Sequence, residues 1–357
     1  MRRLIPTLLL LLGIQLMLAL ALAMRKDALT ANNSDTALIP ATLAGVDHIV
    51  LDGATVAAGS PGAPSHVELA KSNSGWALPG YFDAPADAAK ISSLVEQLTR
   101  LKRGLPVATS AGALRRFKVD DQAFERRLVF SQGGKVIASL YIGDSSGVRR
   151  SNARTADDHA VYSVDLGSYE LPAQPDAWLD QNLLKRNADK LTSIDVEYGP
   201  RDHIELQRTK ASDAQGFRWS DPTLQAGKAL NVTRADALLR DVTQLRVQRV
   251  LGTEPDPDWQ QDHPALRLAI KDDQPRSALW TLSKPGTGDF YVLKSSDHPW
   301  FLAISTADAK QLLEDGGSGA LIAAATAPAA TTTPGPAKSG ANNAHTAPRA
   351  AAVDSAH

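Results

Sequence analysis

The chain of 357 residues contains no cysteine. Disulfides, thiolate nucleophiles, iron–sulfur ligation and cysteine-containing zinc sites are therefore excluded. Charge of one sign is missing too: 38 Lys and Arg stand against 39 Asp and Glu, leaving a formal net charge of −1. No basic field covers the chain, so nucleic-acid binding is not expected. Neither H-E-x-x-H nor any pair of histidines at i and i+4 occurs, so the helical zinc motif is absent as well. Aromatic residues make up only 5%, which turns any recurring tryptophan into a usable landmark.

What is present starts with an uncharged run from Leu4 to Met24, flanked by Arg2 and Arg3 before it and by Arg25 and Lys26 after it. As a helix such a run spans about 30 Å, one bilayer core. It is longer than the ~7–15 apolar residues of an ordinary signal peptide, so a retained anchor is expected. Ala21-Leu22-Ala23 keeps the small-x-small form of a cleavage site, and cleavage stays the alternative. The N-terminal arginines favour the N-terminus inside and the bulk of the chain exported. A polar spacer follows to residue 44. From Gly316 onward Ala, Thr, Pro and Gly dominate and no aromatic residue occurs. Such a tail cannot bury enough apolar surface to offset its ordering entropy and reads as disordered.

Between spacer and tail the sequence repeats itself. Val46, Ile49 and Leu51 lead to His66–Ala70 and Trp76, as Ile194, Val196 and Tyr198 lead to His203–Gln207 and Trp219. A helix-period segment follows in each half: Ile91, Leu94, Val95, Leu98 and Leu101 in the first, Leu238, Leu239, Val242 and Leu245 in the second. Thr233 is the expected N-cap of the second helix, before Asp236 in its first turn. Three strand-like runs then close each half. Leu128–Phe130 matches Leu266–Ile270, Ala138–Ile142 matches Ala278–Leu282, and Ala160–Val164 matches Trp300–Ile304. Six elements recurring in order about 140 residues apart indicate internal duplication. Alternation within the strands predicts antiparallel sheet with one wet face and a helix over the other. The segment Pro175–Leu184 predicts a short helix that docks Trp178, Leu179 and Leu183 on a neighbour.

The order strand, Trp76, helix, Ser139–Gly143, Val161–Asp165 and the closing Asp176–Leu184, after one N-terminal span, resembles the bacterial domain-of-unknown-function family numbered 4340. The resemblance covers roughly residues 46–314. It implies a companion of ABC-type export systems of the gliding-motility kind, and it carries no catalytic residues over.

The sharpest chemical motif is Gly143-Asp144-Ser145-Ser146-Gly147, of G-x-S-x-G form. A nucleophile elbow needs a strand before the serine and a helix directly after it. Here Val148–Arg154 reads as a loop between two strands, and the second half has Ser283–Gly288 in the same place with no matching nucleophile. Asp and His are adjacent at Asp47–His48, Asp158–His159, Asp202–His203, Asp262–His263 and Asp297–His298. Strand neighbours point to opposite faces, so these are not ready-made pairs. Glu254, Asp256 and Asp258 suggest a calcium loop, but Trp259 stands where that loop needs glycine, and a solvated linker between helix and strand is expected. Gly133-Gly134-Lys135 reads as a tight turn within Gln132–Lys135 rather than a phosphate loop. The cluster Arg100, Lys102 and Arg103 closes the first helix, where cations meet the helix dipole favourably.

The expected architecture is α+β: two tandem copies of a mainly antiparallel sheet unit with one covering helix, after one N-terminal transmembrane helix. Its parts are an anchor at 1–26, a spacer at 27–44, units at 45–186 and 187–315, and a disordered tail at 316–357. No catalytic, cofactor-binding or metal-binding residue is expected. The expected role is a non-enzymatic, single-pass inner-membrane protein, largely periplasmic, serving inner-membrane ABC-type transport proteins. The alternatives are a hydrolase using Ser145 with a histidine such as His159, and a glycan- or peptide-binding module.

Overall fold

A computed structural model describes residues 36–39, 42–54, 65–199, 202–210, 216–274 and 277–324, with residues 12–15 and 17 near the N-terminus. Among the described residues no helix is long and apolar enough to cross a membrane. The expected anchor, Leu4–Met24, lies largely outside them.

The first unit runs β1 (His48–Asp52), β2 (His66–Ser72), β3 (Gly75–Leu78), β4 (Ala84–Pro85), α1 (Ala88–Arg100), α2 (Ala111–Arg116), β5 (Val119–Asp120), β6 (Ala123–Phe124), β7 (Arg126–Gln132), β8 (Lys135–Gly147), β9 (Arg150–Thr155) and β10 (Tyr162–Val164). The second runs β11 (Leu191–Gly199), β12 (Asp202–Lys210), β13 (Phe217–Ser220), β14 (Lys228–Leu230), α3 (Val232–Gln244), β15 (Arg249–Gly252), β16 (Leu266–Asp272), β17 (Ser277–Ser283), β18 (Phe290–Ser295), β19 (Phe301–Ser305), α4 (Thr306–Asp315), α5 (Ser318–Leu321) and β20 (Ile322–Ala324).

Each unit is built on one eight-stranded antiparallel sheet. The orders are β10-β9-β8-β7-β1-β2-β3-β4 and β13-β12-β11-β16-β17-β18-β19-β15. Read from the β3 and β13 ends, the shared strands follow the same path. Register agrees as well: Ile49 lies opposite Leu69 and Phe130, and Ile194 lies opposite Leu206 and Ile270. All six side chains are fully buried. The sheets are capped by α1, through Ile91, Leu94 and Leu98, and by α3, through Ala235, Leu238, Leu239 and Val242. One continuous apolar core runs through both units.

The structure departs from the sequence-based expectations in several places. Each unit closes with four strands, not three, because β9 and β18 are added. The stretch read as a loop at Val148–Arg154 is largely β9. The N-cap of α3 is Asn231, whose side chain accepts the Arg234 N–H, and Thr233 sits inside the first turn. More than one helix covers the second unit, since α4 packs on α3. The wet face expected of the first sheet is covered near Tyr141 by α2, β5 and β6, which enclose a small second core of Leu114, Val119, Phe124, Tyr141 and Val161. Residues 36–39, 42 and 43 pack on the first unit rather than forming spacer, since Leu38, Ile39 and Leu43 are buried and Ala37 bridges Lys102. The tail is ordered beyond Gly316: α5 forms, and β20 pairs with β14. Residues from 325 lie outside the described set. The segment Pro175–Trp178 is one 3-10 turn, with Trp178 and Leu179 buried.

Candidate functional site

A groove of about 620 Å³ lies between the C-terminal end of α1 and the outer edge of β10. Arg100, Lys102, Arg103, Arg150, Ser163 and Asp165 line it. The three basic residues at the end of α1 thus face a fourth cation, Arg150, from another hairpin. Arg149, in the left-handed region at φ 56°, turns the chain between β8 and β9 and sets Arg150 beside β10. The Arg150 guanidinium donates through Nε to Ser163 Oγ and through Nη2 to Ser163 O, both at 3.2 Å. Its Nη1 lies 3.4 Å from Asp165. Ser146 and Ser163 share a 2.7 Å hydroxyl contact. Arg103 stands 3.4 Å from Asp158. Burial alone would raise the Asp158 pKa, but the Ala160 N–H, the Tyr162 hydroxyl and Arg103 outweigh it and hold the carboxyl below its usual range.

Ser145 lies in β8 opposite Ser151 of β9. Its hydroxyl is placed to donate to Gly147 O at 3.0 Å and Arg150 O at 3.3 Å. A strand, not a helix, follows the serine, so the elbow geometry is absent. Thr155, which ends β9, lies opposite Leu140. That is about 16 Å along β8 from Ser145, and the exposed His159 lies beyond it. The motif's first glycine has a packing cause. A Cβ on Gly143 would come 1.9 Å from Phe117 O and 2.7 Å from Lys118 O, because the chain after α2 crosses β8 there.

In the Asp47–His48 dipeptide the two side chains take different partners. His48 contacts Glu68 at 2.7 Å, while Asp47 accepts the Gly133 N–H at 2.8 Å. His66 contacts Asp52 at 2.7 Å. Gly133 and Gly134, with φ of 56° and 75°, form the β7–β8 turn. The stretch containing Glu254, Asp256 and Asp258 follows β15, which stands between it and α3. Asp256 caps the next turn by accepting the Asp258 N–H. Among the described residues no group of three or more His, Asp or Glu side chains converges in a metal-holding arrangement.

Two further polar clusters were not signalled by any motif. The first is the seam between the units. The Tyr81 hydroxyl contacts Asp176 and the Val250 carbonyl (2.8 Å) and accepts the Val250 N–H at 2.9 Å. Burial, then Asp176, pushes its pKa up. Trp300 Nε1 donates to Phe82 O at 2.8 Å, the Val247 N–H donates to Gln181 O at 3.0 Å, and Arg186 pairs with Asp297. Phe82 and Asp83 both adopt positive φ, 57° and 53°, a costly backbone for non-glycine residues. The second cluster ties α3 to α4. Buried Asp315 accepts from Arg234 and, at 2.7 Å, from Gln311. Burial, then hydrogen bonding to Asp315, pushes Asp241 up to about 7.

These features define a duplicated α+β protein, two antiparallel sheets joined by a polar seam, with a basic groove on one sheet edge. The chain belongs to the DUF4340 family: the family model described as "Domain of unknown function (DUF4340)" matches residues 76–264, reaching into both units. No curated protein and no solved structure matches the chain.

Proposed function

We propose that this protein is a non-enzymatic, membrane-anchored envelope scaffold, an accessory subunit of an inner-membrane ABC-type transport system. The seam is the observation that carries the reading. Tyr81, Trp300 and Arg186 reach across it, and the apolar core continues through both units. Together they support a body that presents two sheet platforms at a set spacing. Sheet edges and the grooves beside them are suited to holding protein segments. The uncharged run Leu4–Met24 supports attachment to the inner membrane, N-terminus inside, with the sheets in the periplasm. The hydroxyl of Ser145, engaged within its own hairpin, favours this reading over a hydrolase.

Gentle detergent extraction tests the proposal. The scaffold role requires the protein to migrate in an assembly larger than one chain, and its deletion to impair an ABC-dependent export trait. A monodisperse single chain, with no such trait lost on deletion, contradicts it.

A further inference from the structure

We propose that the outer edge of β10 takes one extended acidic segment of a partner protein, paired antiparallel in the slot that β15 fills on β19. This deepens the scaffold reading and rests on it.

The duplication supplies the comparison. In the second unit the chain leaves α3 at Leu245 and adds β15 to the edge of β19, with Gly252 opposite Phe301 and Val250 opposite Leu302. In the first unit the chain leaves α1 at Leu101 and reaches the equivalent place at Ala108, which bridges Val161. The Val107 N–H donates to Val161 O, and the Val161 N–H donates to Ala108 O. Only that end of the slot is closed. The preceding stretch leaves the edge, and Leu105 is 71% exposed. The groove occupies the space it vacates.

The backbone carbonyls show the same difference. Ala303 O on β19 accepts the Gln248 N–H at 2.9 Å, from the chain entering β15. Its counterpart, Ser163 O on β10, accepts from the Arg150 guanidinium instead, at 3.2 Å. Val161 points its backbone groups outward, to Val107 and Ala108, so two residues on Ser163 does the same. Arg150 thus stands in for a strand N–H at an edge that would otherwise be open. Edge strands left with unpaired backbone groups are templates for another chain.

Charge selects the occupant. The lining holds four cations (Arg100, Lys102, Arg103 and Arg150) against two carboxylates, Glu96 and Asp165; with Asp158, which pairs with Arg103 from beside it, the groove keeps an excess of one positive charge. An incoming N–H takes Ser163 O, and Arg150, released from it, meets a carboxylate on the incoming strand. A strand carrying acidic residues at alternate positions presents them all on one face.

The test uses the full chain in mild detergent and a fluorescent hexapeptide, acetyl-Thr-Glu-Val-Glu-Val-Glu-amide. Two controls accompany it, one with Lys in place of Glu and one with alternate amides N-methylated. We expect saturable binding of the Glu probe, weakened about tenfold or more in either control. Arg150→Glu should cause a similar loss. Ser163→Pro, which removes one outward N–H and leaves the pairing with β9 possible, should weaken the Glu probe and keep its preference over Lys. Equal binding of the N-methylated probe would overturn strand pairing in favour of charge alone. Absence of saturable binding, or self-association that the probe does not compete with, would overturn the proposal as well. The two readings fail separately. Probe binding without transport partners leaves the groove and removes the transport role. Partner recovery unaffected by Arg150→Glu does the reverse.

Discussion

At the scale of single residues, two tyrosines with buried hydroxyls make opposite predictions. Tyr81 joins the units through Asp176 and both backbone groups of Val250. Tyr81→Phe should cost about 1–3 kcal/mol, the penalty for leaving buried polar groups unpaired. The Tyr198 hydroxyl is buried with no hydrogen-bond partner, so Tyr198→Phe should be neutral or stabilising. Chemical denaturation of both variants checks the pair. Gly143→Ala should destabilise by about 1–3 kcal/mol, because its Cβ meets backbone rather than a movable side chain. A midpoint unchanged from the parent would contradict the close approach. Asp241 sets a pH dependence. Its folded pKa is raised to about 7 from an ordinary 3.8, so the unfolded chain ionises first and stability falls as pH rises from about 4 to about 7. Asp315 is held low and acts in the opposite sense: its contribution is present above the ordinary carboxyl range and is lost as pH falls through its folded pKa. Asp241→Asn should remove the fall, leaving the variant more stable than the parent above pH 7 and similar to it near pH 4. Thermal midpoints across that range measure it.

At the scale of elements, legibility followed periodicity. The helices α1 and α3 were readable because their apolar residues recur at helical spacing, and Ile91, Leu94, Leu98, Leu238 and Val242 are buried. Strands with apolar alternation were readable for the same reason. β9 was not, because it buries Ser151, Asn152, Arg154 and Thr155. Those polar groups find partners that no local pattern reveals: Arg154 donates to Val119 O at 2.7 Å and pairs with Asp121, across the chain. Nor did α4 emerge, although Ser305, which accepts the Asp308 N–H at 3.0 Å, carried a cap signal. Asn231, not Thr233, caps α3, although both are good capping types. Asn231→Ala should cost about 1 kcal/mol and Thr233→Ala less; equal losses on thermal unfolding would contradict the assignment.

At the scale of the whole molecule, duplication was visible in sequence because six landmarks recur in order, and the matching strand orders bear it out. The groove was only half legible. Arg100, Lys102 and Arg103 stood out as a cluster, but their juxtaposition with Arg150 and Ser163 depends on the way the β8–β9 hairpin folds over β10. The slot filled in one unit and open in the other is a three-dimensional difference that no sequence pattern marks. On the proposed reading, the open slot is where the protein would hold its partner. The most direct measurement is affinity purification of the tagged full chain from membranes in mild detergent, with mass spectrometry of what accompanies it. The account predicts near-stoichiometric recovery of ABC-type transport subunits from the parent, and less from Arg150→Glu. Recovery of the protein alone from cells in which such a transporter is present would contradict it.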